Sequence, residues 1–134
     1  MSSLPVPNLP HLMEADEFWK GLAAGTFSLE RCRSCATLVW YPRGFCASCG
    51  SEDVAPVTAS GRGTVYSFSV VHRAVGEYRG HEPYVVAYVE LEEGPRILTN
   101  IVTCDPASLA IGATVRIVFE HGTDGSVLYR FAPA

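Results

Sequence analysis

Four of the chain's five cysteines fall into two matched pairs, Cys32-Arg-Ser-Cys35 and Cys46-Ala-Ser-Cys49, with ten residues between the pairs. A Cys-x-x-Cys turn aims two thiolates at one point, and two such turns complete a tetrahedral four-sulfur cage. Soft thiolates in that geometry favour Zn2+; a rubredoxin-type iron site and two disulfides are the other readings of the same spacing. A closed cage leaves no position open to water or substrate. The metal on Cys32, Cys35, Cys46 and Cys49 is therefore expected to hold structure, not to do catalysis.

The remaining chemistry-bearing residues gather in His72-Arg-Ala-Val-Gly-Glu-Tyr-Arg-Gly-His-Glu-Pro83. His72, His81, Glu77 and Glu82 are the acid–base candidates there, but no catalytic spacing joins them, and no catalytic residue is assigned. Cys104 has no paired cysteine and no Cys-His signature around it, so it reads as a partly buried thiol.

The elements that must position these residues come next. At 134 residues, 48% hydrophobic and 18% charged, the chain has room for one ordinary domain or a small domain with a metal-stapled subdomain. No apolar run is long enough to span a membrane, and the proline-rich start has neither a basic opening nor an apolar signal core. An unpaired thiol beside the cage fits a reducing compartment, so the expected location is cytoplasmic. The formal charge of −4, with nine arginines and one lysine, argues against nucleic acid, whose binders usually carry excess positive charge.

Residues 1–25 read as an arm followed by a helix over 13–24, with Phe18 and Leu22 on its apolar face and Gly25 as its stop. Leu4, Val6, Phe18 and Trp19 are candidate docking residues for a partner protein. Residues 26–53 form the metal module, with strands over 27–31 and 37–41; too small to bury a core, it needs the metal for its folding free energy. Residues 54–134 are repeatedly β, with strands over 64–71, 84–91, 96–103, 114–121 and 126–131 and a helical turn within 105–112. Tyr66, Phe68 and Val70 form the expected inward face of the first of these. Five strands in this order suit an OB-fold barrel, with a sandwich or open sheet as the alternative. The fold class is mainly β.

Phe18-Trp19-Lys-Gly-Leu22, the two cysteine knuckles, Trp40-Tyr-Pro-Arg43, Cys49-Gly-Ser51 and Gly61-Arg-Gly63-Thr-Val-Tyr66-Ser together resemble the DUF35 family. The likeness covers nearly the whole chain. It implies an N-terminal helix, a rubredoxin-like zinc ribbon and an OB-fold associated with acyl-CoA metabolism. It further implies a mostly non-catalytic partner of thiolase-like or lipid-transfer-protein-like enzymes, some members being fused or bound to hydratases. The four cysteines carry over as metal ligands; no CoA-contact motif does.

CoA carries a diphosphate and a 3′-phosphate, and arginine forks grip phosphate oxygens bidentately. Arg73, Arg79 and Arg43 are the candidates for that end of CoA or an acyl-CoA. The leading expectation is thus an accessory subunit in a hetero-oligomer with a thiolase-superfamily enzyme, such as an acyl-CoA retro-aldolase or acyltransferase. The rival is a nucleic-acid-binding zinc-ribbon/OB-fold module with Tyr66 and Phe68 as stacking platforms; the acidic balance counts against it.

Overall fold

In the computed structural model, which describes residues 3–134, a 3-10 turn at Met13–Ala15 leads into an α-helix, α1, over Asp16–Ala23. The first two residues of the expected arm lie outside the described residues. Asp16 and Glu17 occupy the first turn of α1, where the helix dipole favours acids, and Lys20 reaches back to Asp16 at 3.0 Å. Gly25, at φ +86°, ends the helix, and the Thr26 N–H closes on the Gly21 carbonyl at 2.8 Å.

The apolar face of α1 is spent on the protein's own body. Phe18 is 3% exposed and meets Trp40, Phe27 and Tyr129 edge-on, with ring centroids 5.2, 5.9 and 6.0 Å away. Trp19 is half-buried and donates its indole N–H to the Tyr41 hydroxyl at 2.7 Å. The expectation that Phe18 and Trp19 form a docking surface is therefore corrected. So short a helix is marginal alone, and packing this face is what stabilises it. Leu4 and Val6 are half-buried too.

The metal module is a three-stranded antiparallel sheet in the order β2-β1-β3, from β1 (Ser28–Cys32), β2 (Leu38–Val39) and β3 (Val54–Thr58). The strand expected over 37–41 shrinks to two residues: the Thr37 carbonyl is committed to the Cys32 N–H at 2.9 Å, and Pro42 closes the other end.

Five longer strands close a barrel: β4 (Arg62–Val71), β5 (Tyr84–Leu91), β6 (Arg96–Ile101), β7 (Thr114–His121) and β8 (Val127–Pro133). Their order is β4-β5-β6-β8-β7, antiparallel throughout except where β6 meets β8 at Ile101 and Phe131. A 3-10 turn at Pro106–Ser108, capped by the Asp105 carboxylate on the Ala107 N–H, joins β6 to β7. This is the expected five-stranded OB-fold. Val65, Val85, Val89, Ile97, Val115 and Phe131 fill its interior.

Strand β4 departs from the simple alternation. Val65 is 1% exposed and faces Val89 in the core, whereas Tyr66 is 47% exposed. The register slips between Val65 and Ser67, so Tyr66 and Ser67 both lie outside before Phe68 turns in opposite Ala87. Tyr66 is thus not an inward residue. One face of its ring is taken by the Arg96 guanidinium, 3.8 Å from the centroid. Nearby, a Cβ on Gly63 would sit 2.5 Å from the Glu90 carbonyl oxygen and 2.7 Å from Val89 Cγ1, so β4 and β5 approach as closely as only glycine allows.

Candidate functional site

The two knuckles are built alike. In each, the residue after the second cysteine turns left-handed, Ala36 at φ +65° and Gly50 at φ +80°. Each then returns its N–H to the first cysteine's carbonyl, Ala36 to Cys32 at 2.8 Å and Gly50 to Cys46 at 2.7 Å. The four Sγ atoms lie within 4.8 Å of one another, with Cys32–Cys49 and Cys35–Cys46 both at 3.6 Å. A tetrahedral zinc with Zn–S of about 2.3 Å requires sulfurs about 3.8 Å apart. The donor set fits that ion, and none of the four thiols is in a disulfide.

Local dipoles favour thiolate here. The Thr37 hydroxyl and amide lower the Cys35 thiol to about 6, and the Cys35 and Ser34 amides lower Cys32. Cys49 goes the other way: the Ser51 amide lowers it, but Cys32 and the other sulfurs, with burial, push it up to about 12. Four sulfurs this close do not all ionise without a cation among them.

The three arginines singled out for phosphate lie in two places. Arg43 sits in the metal module and turns back on its own backbone, donating to the Tyr41 and Trp40 carbonyls at 3.1 Å each. Arg73 and Arg79 share the loop between β4 and β5, both exposed, and no side-chain partner meets either guanidinium among the described residues. The base of that loop is stapled by Glu82, whose carboxylate accepts the Ala74 N–H at 3.0 Å and the Gly80 N–H at 2.6 Å. These amides, with the residue's own, hold the Glu82 carboxyl below its ordinary range. Among the described residues no hydrogen bond joins His72 or His81 to a carboxylate.

One residue that sequence reasoning missed organises this end of the barrel. Arg130 is fully buried on β8 and donates to five acceptors: Asn100 Oδ1, Glu120 Oε1, the Tyr78 hydroxyl and the carbonyls of Leu4 and Pro5. It thereby fixes the arm and the loop carrying Arg73 and Arg79 to the same wall. A lone charge on an alternating strand normally reads as solvent-facing, so the sequence held no signal for it.

Fold and cage together define a protein with a zinc-ribbon module joined to an OB-fold barrel. Residues 19–55 match the family described as the ChsH2 rubredoxin-like zinc ribbon domain, and residues 56–120 match the ChsH2 C-terminal OB-fold domain. The chain is 40% identical over 106 residues to a DUF35 domain-containing scaffold protein of Methanocaldococcus jannaschii, covering 75% of each. It belongs to the DUF35 family. It is also 37% identical over 71 residues, 53% of this chain and 47% of the other, to the benzoylsuccinyl-CoA thiolase subunit BbsA of Geobacter metallireducens. Among solved structures it superposes on a chain of the Ltp2-ChsH2(DUF35) aldolase with a TM-score of 0.85 and 32% identity, over 94% of this chain and 98% of that one.

Proposed function

We propose that this protein is a non-catalytic accessory subunit of a thiolase-superfamily enzyme acting on acyl-CoA thioesters, and that it assembles with that enzyme as a hetero-oligomer. What supports the reading most is the end-to-end likeness to the DUF35 chain of the Ltp2-ChsH2(DUF35) aldolase. A relative described as a subunit of an acyl-CoA thiolase points the same way. The partner supplies the nucleophile or acid–base groups; this chain supplies surface and one wall of the substrate path.

Within that reading the cage holds Zn2+ and braces β1 against β2, fixing the turn that carries Trp40, Tyr41 and Arg43. Arg73 and Arg79 take the phosphate end of CoA, held in position by the Glu82 staple and the Arg130–Tyr78 bond. Arg43 contributes less, since two of its donors are already engaged. The protein works in the reducing cytoplasm, which keeps the thiols free for metal. Nucleic acid is not its ligand: the net charge is −4, and Arg96 already covers one face of Tyr66. No described helix is long and apolar enough to cross a membrane.

Reconstitution with the thiolase-like enzyme of the same cell tests the proposal. Adding this protein should raise acyl-CoA turnover, and changing Arg73 and Arg79 together to Ala should raise KM roughly tenfold, the loss of charged hydrogen bonds to phosphate. Turnover that ignores the added protein would sink the accessory role; an unchanged KM would clear the loop arginines.

A further inference from the structure

A second cluster of cationic and hydroxyl side chains lies away from the β4–β5 loop, at the other end of β4. The β4–β7 ladder pairs Arg62 with Arg116, Gly63 with Val115 and Thr64 with Thr114. Val115 points into the core at 1% exposure, so alternation sends Arg62, Thr64, Thr114 and Arg116 to the outer face. All four line an open cleft of about 800 Å³. Among the described residues no side-chain hydrogen bond or ion pair engages either guanidinium or either hydroxyl.

Like charges directly opposed across a ladder destabilise a sheet, and in a chain of net charge −4 the pair is not a by-product of general basicity. The nearby acids do not cancel it. Glu90 is engaged with Arg96 at 3.0 Å, and neither Glu92 nor the Ala134 carboxylate, which line the same cleft, lies within ion-pair distance of Arg62 or Arg116. The tight Gly61-Arg-Gly63 run has a reason in the same geometry. A Cβ at Gly61 would meet Ile117 Cγ2 at 2.5 Å, so the glycines let β4 close on its neighbours while presenting Arg62 between them.

We propose that the Arg62–Thr64–Thr114–Arg116 face is an anion site that takes a phosphate group. Two guanidinium forks and two hydroxyls are the donor set that phosphate oxygens accept from, and the anion would relieve the repulsion between the arginines. The site belongs to this chain alone, so it stands or falls independently of the partner enzyme. A free phosphate or diphosphate and the phosphates of CoA present the same chemistry.

The test is titration of the isotope-labelled, metal-loaded full chain with inorganic pyrophosphate and, separately, with CoA, followed by amide NMR. Saturable shifts are expected at residues 61–64 and 114–117 with at least one probe. Arg62→Gln and Arg116→Gln should each weaken the response roughly tenfold. Tighter binding of CoA would identify its phosphates as the source, and tighter binding of pyrophosphate a free phosphate ligand. No saturation with either probe, shifts confined to residues 72–83, or shifts indifferent to Arg62→Gln and Arg116→Gln would each overturn the assignment.

Discussion

Arg130 Nη1 donates to Glu120 Oε1 at 2.7 Å with both side chains out of solvent, 0% and 4% exposed. A buried guanidinium is tolerated only when every donor is satisfied, and here the remaining donors hold Asn100, Tyr78 and the arm's backbone. The pair therefore does more than neutralise itself: it ties the arm and the β4–β5 loop to the barrel wall.

Arg130→Met should cost about 3–5 kcal/mol, because it breaks a buried ion pair and leaves Asn100, Tyr78 and the Leu4 and Pro5 carbonyls without the donors that now tie them together. Arg130→Lys should fail nearly as badly, since one ammonium cannot serve five acceptors in that plane. Denaturant midpoints measure both, and amide exchange should show the arm near Val6 and the loop near Tyr78 loosening together. A loss below about 1 kcal/mol would mean that the cluster is not organising this end.

Metal removal should melt the ribbon. Structural zinc supplies about 10–16 kcal/mol of apparent binding energy in small peptides, and this sheet's shortest strand has two residues. Metal analysis should find about one zinc per chain, and Cys32→Ser or Cys46→Ser, at the two buried ligands, should abolish it. Because Trp40 stacks edge-on with Phe18 at 5.2 Å, near-ultraviolet dichroism of the aromatic cluster reports the loss.

Ala36→Gly should stabilise the ribbon. Ala36 holds φ +65°, a left-handed conformation that costs a residue with a Cβ about 1–2 kcal/mol, part of which glycine returns through its greater unfolded-state entropy. A net gain of about 0.5–1 kcal/mol is expected, read from the midpoint of zinc-dependent unfolding. The knuckle at Gly50 already has the favoured residue, so Gly50→Ala should act in the opposite direction.

The β4–β5 loop should loosen in acid. The amides of Glu82 itself, Ala74 and Gly80 hold the Glu82 carboxyl below its ordinary 4.5. A depressed folded value means that the stabilisation is fully present above 4.5 and fades as pH falls through the folded value. Protection of the Ala74 and Gly80 amides, taken relative to free-peptide exchange at each pH, should fall below that point, and Glu82→Gln should remove that dependence. Protection that stays constant with pH in the parent protein would show that the staple does not hold the loop.

What was legible in the sequence was local. The cage follows from cysteine spacing, and most barrel strands follow from alternation, because each signal is contained in a few adjacent residues. The slip at Tyr66 was hidden, because a bulge is set by the partner strand's register, not by the bulged residues themselves. Phe18 was ambiguous because a helix's apolar face looks the same whether it meets its own barrel or another protein. Arg130 was invisible because its partners lie between 10 and 126 positions away in the chain.

Gentle purification of the tagged protein from its native cells, with mass spectrometry of what co-elutes, tests the accessory role most directly. A thiolase-like enzyme in near-stoichiometric amount is the expected result, and the complex should turn over acyl-CoA thioesters that this chain alone does not. Recovery of the protein alone or with nucleic acid, and no such enzyme, would contradict the account.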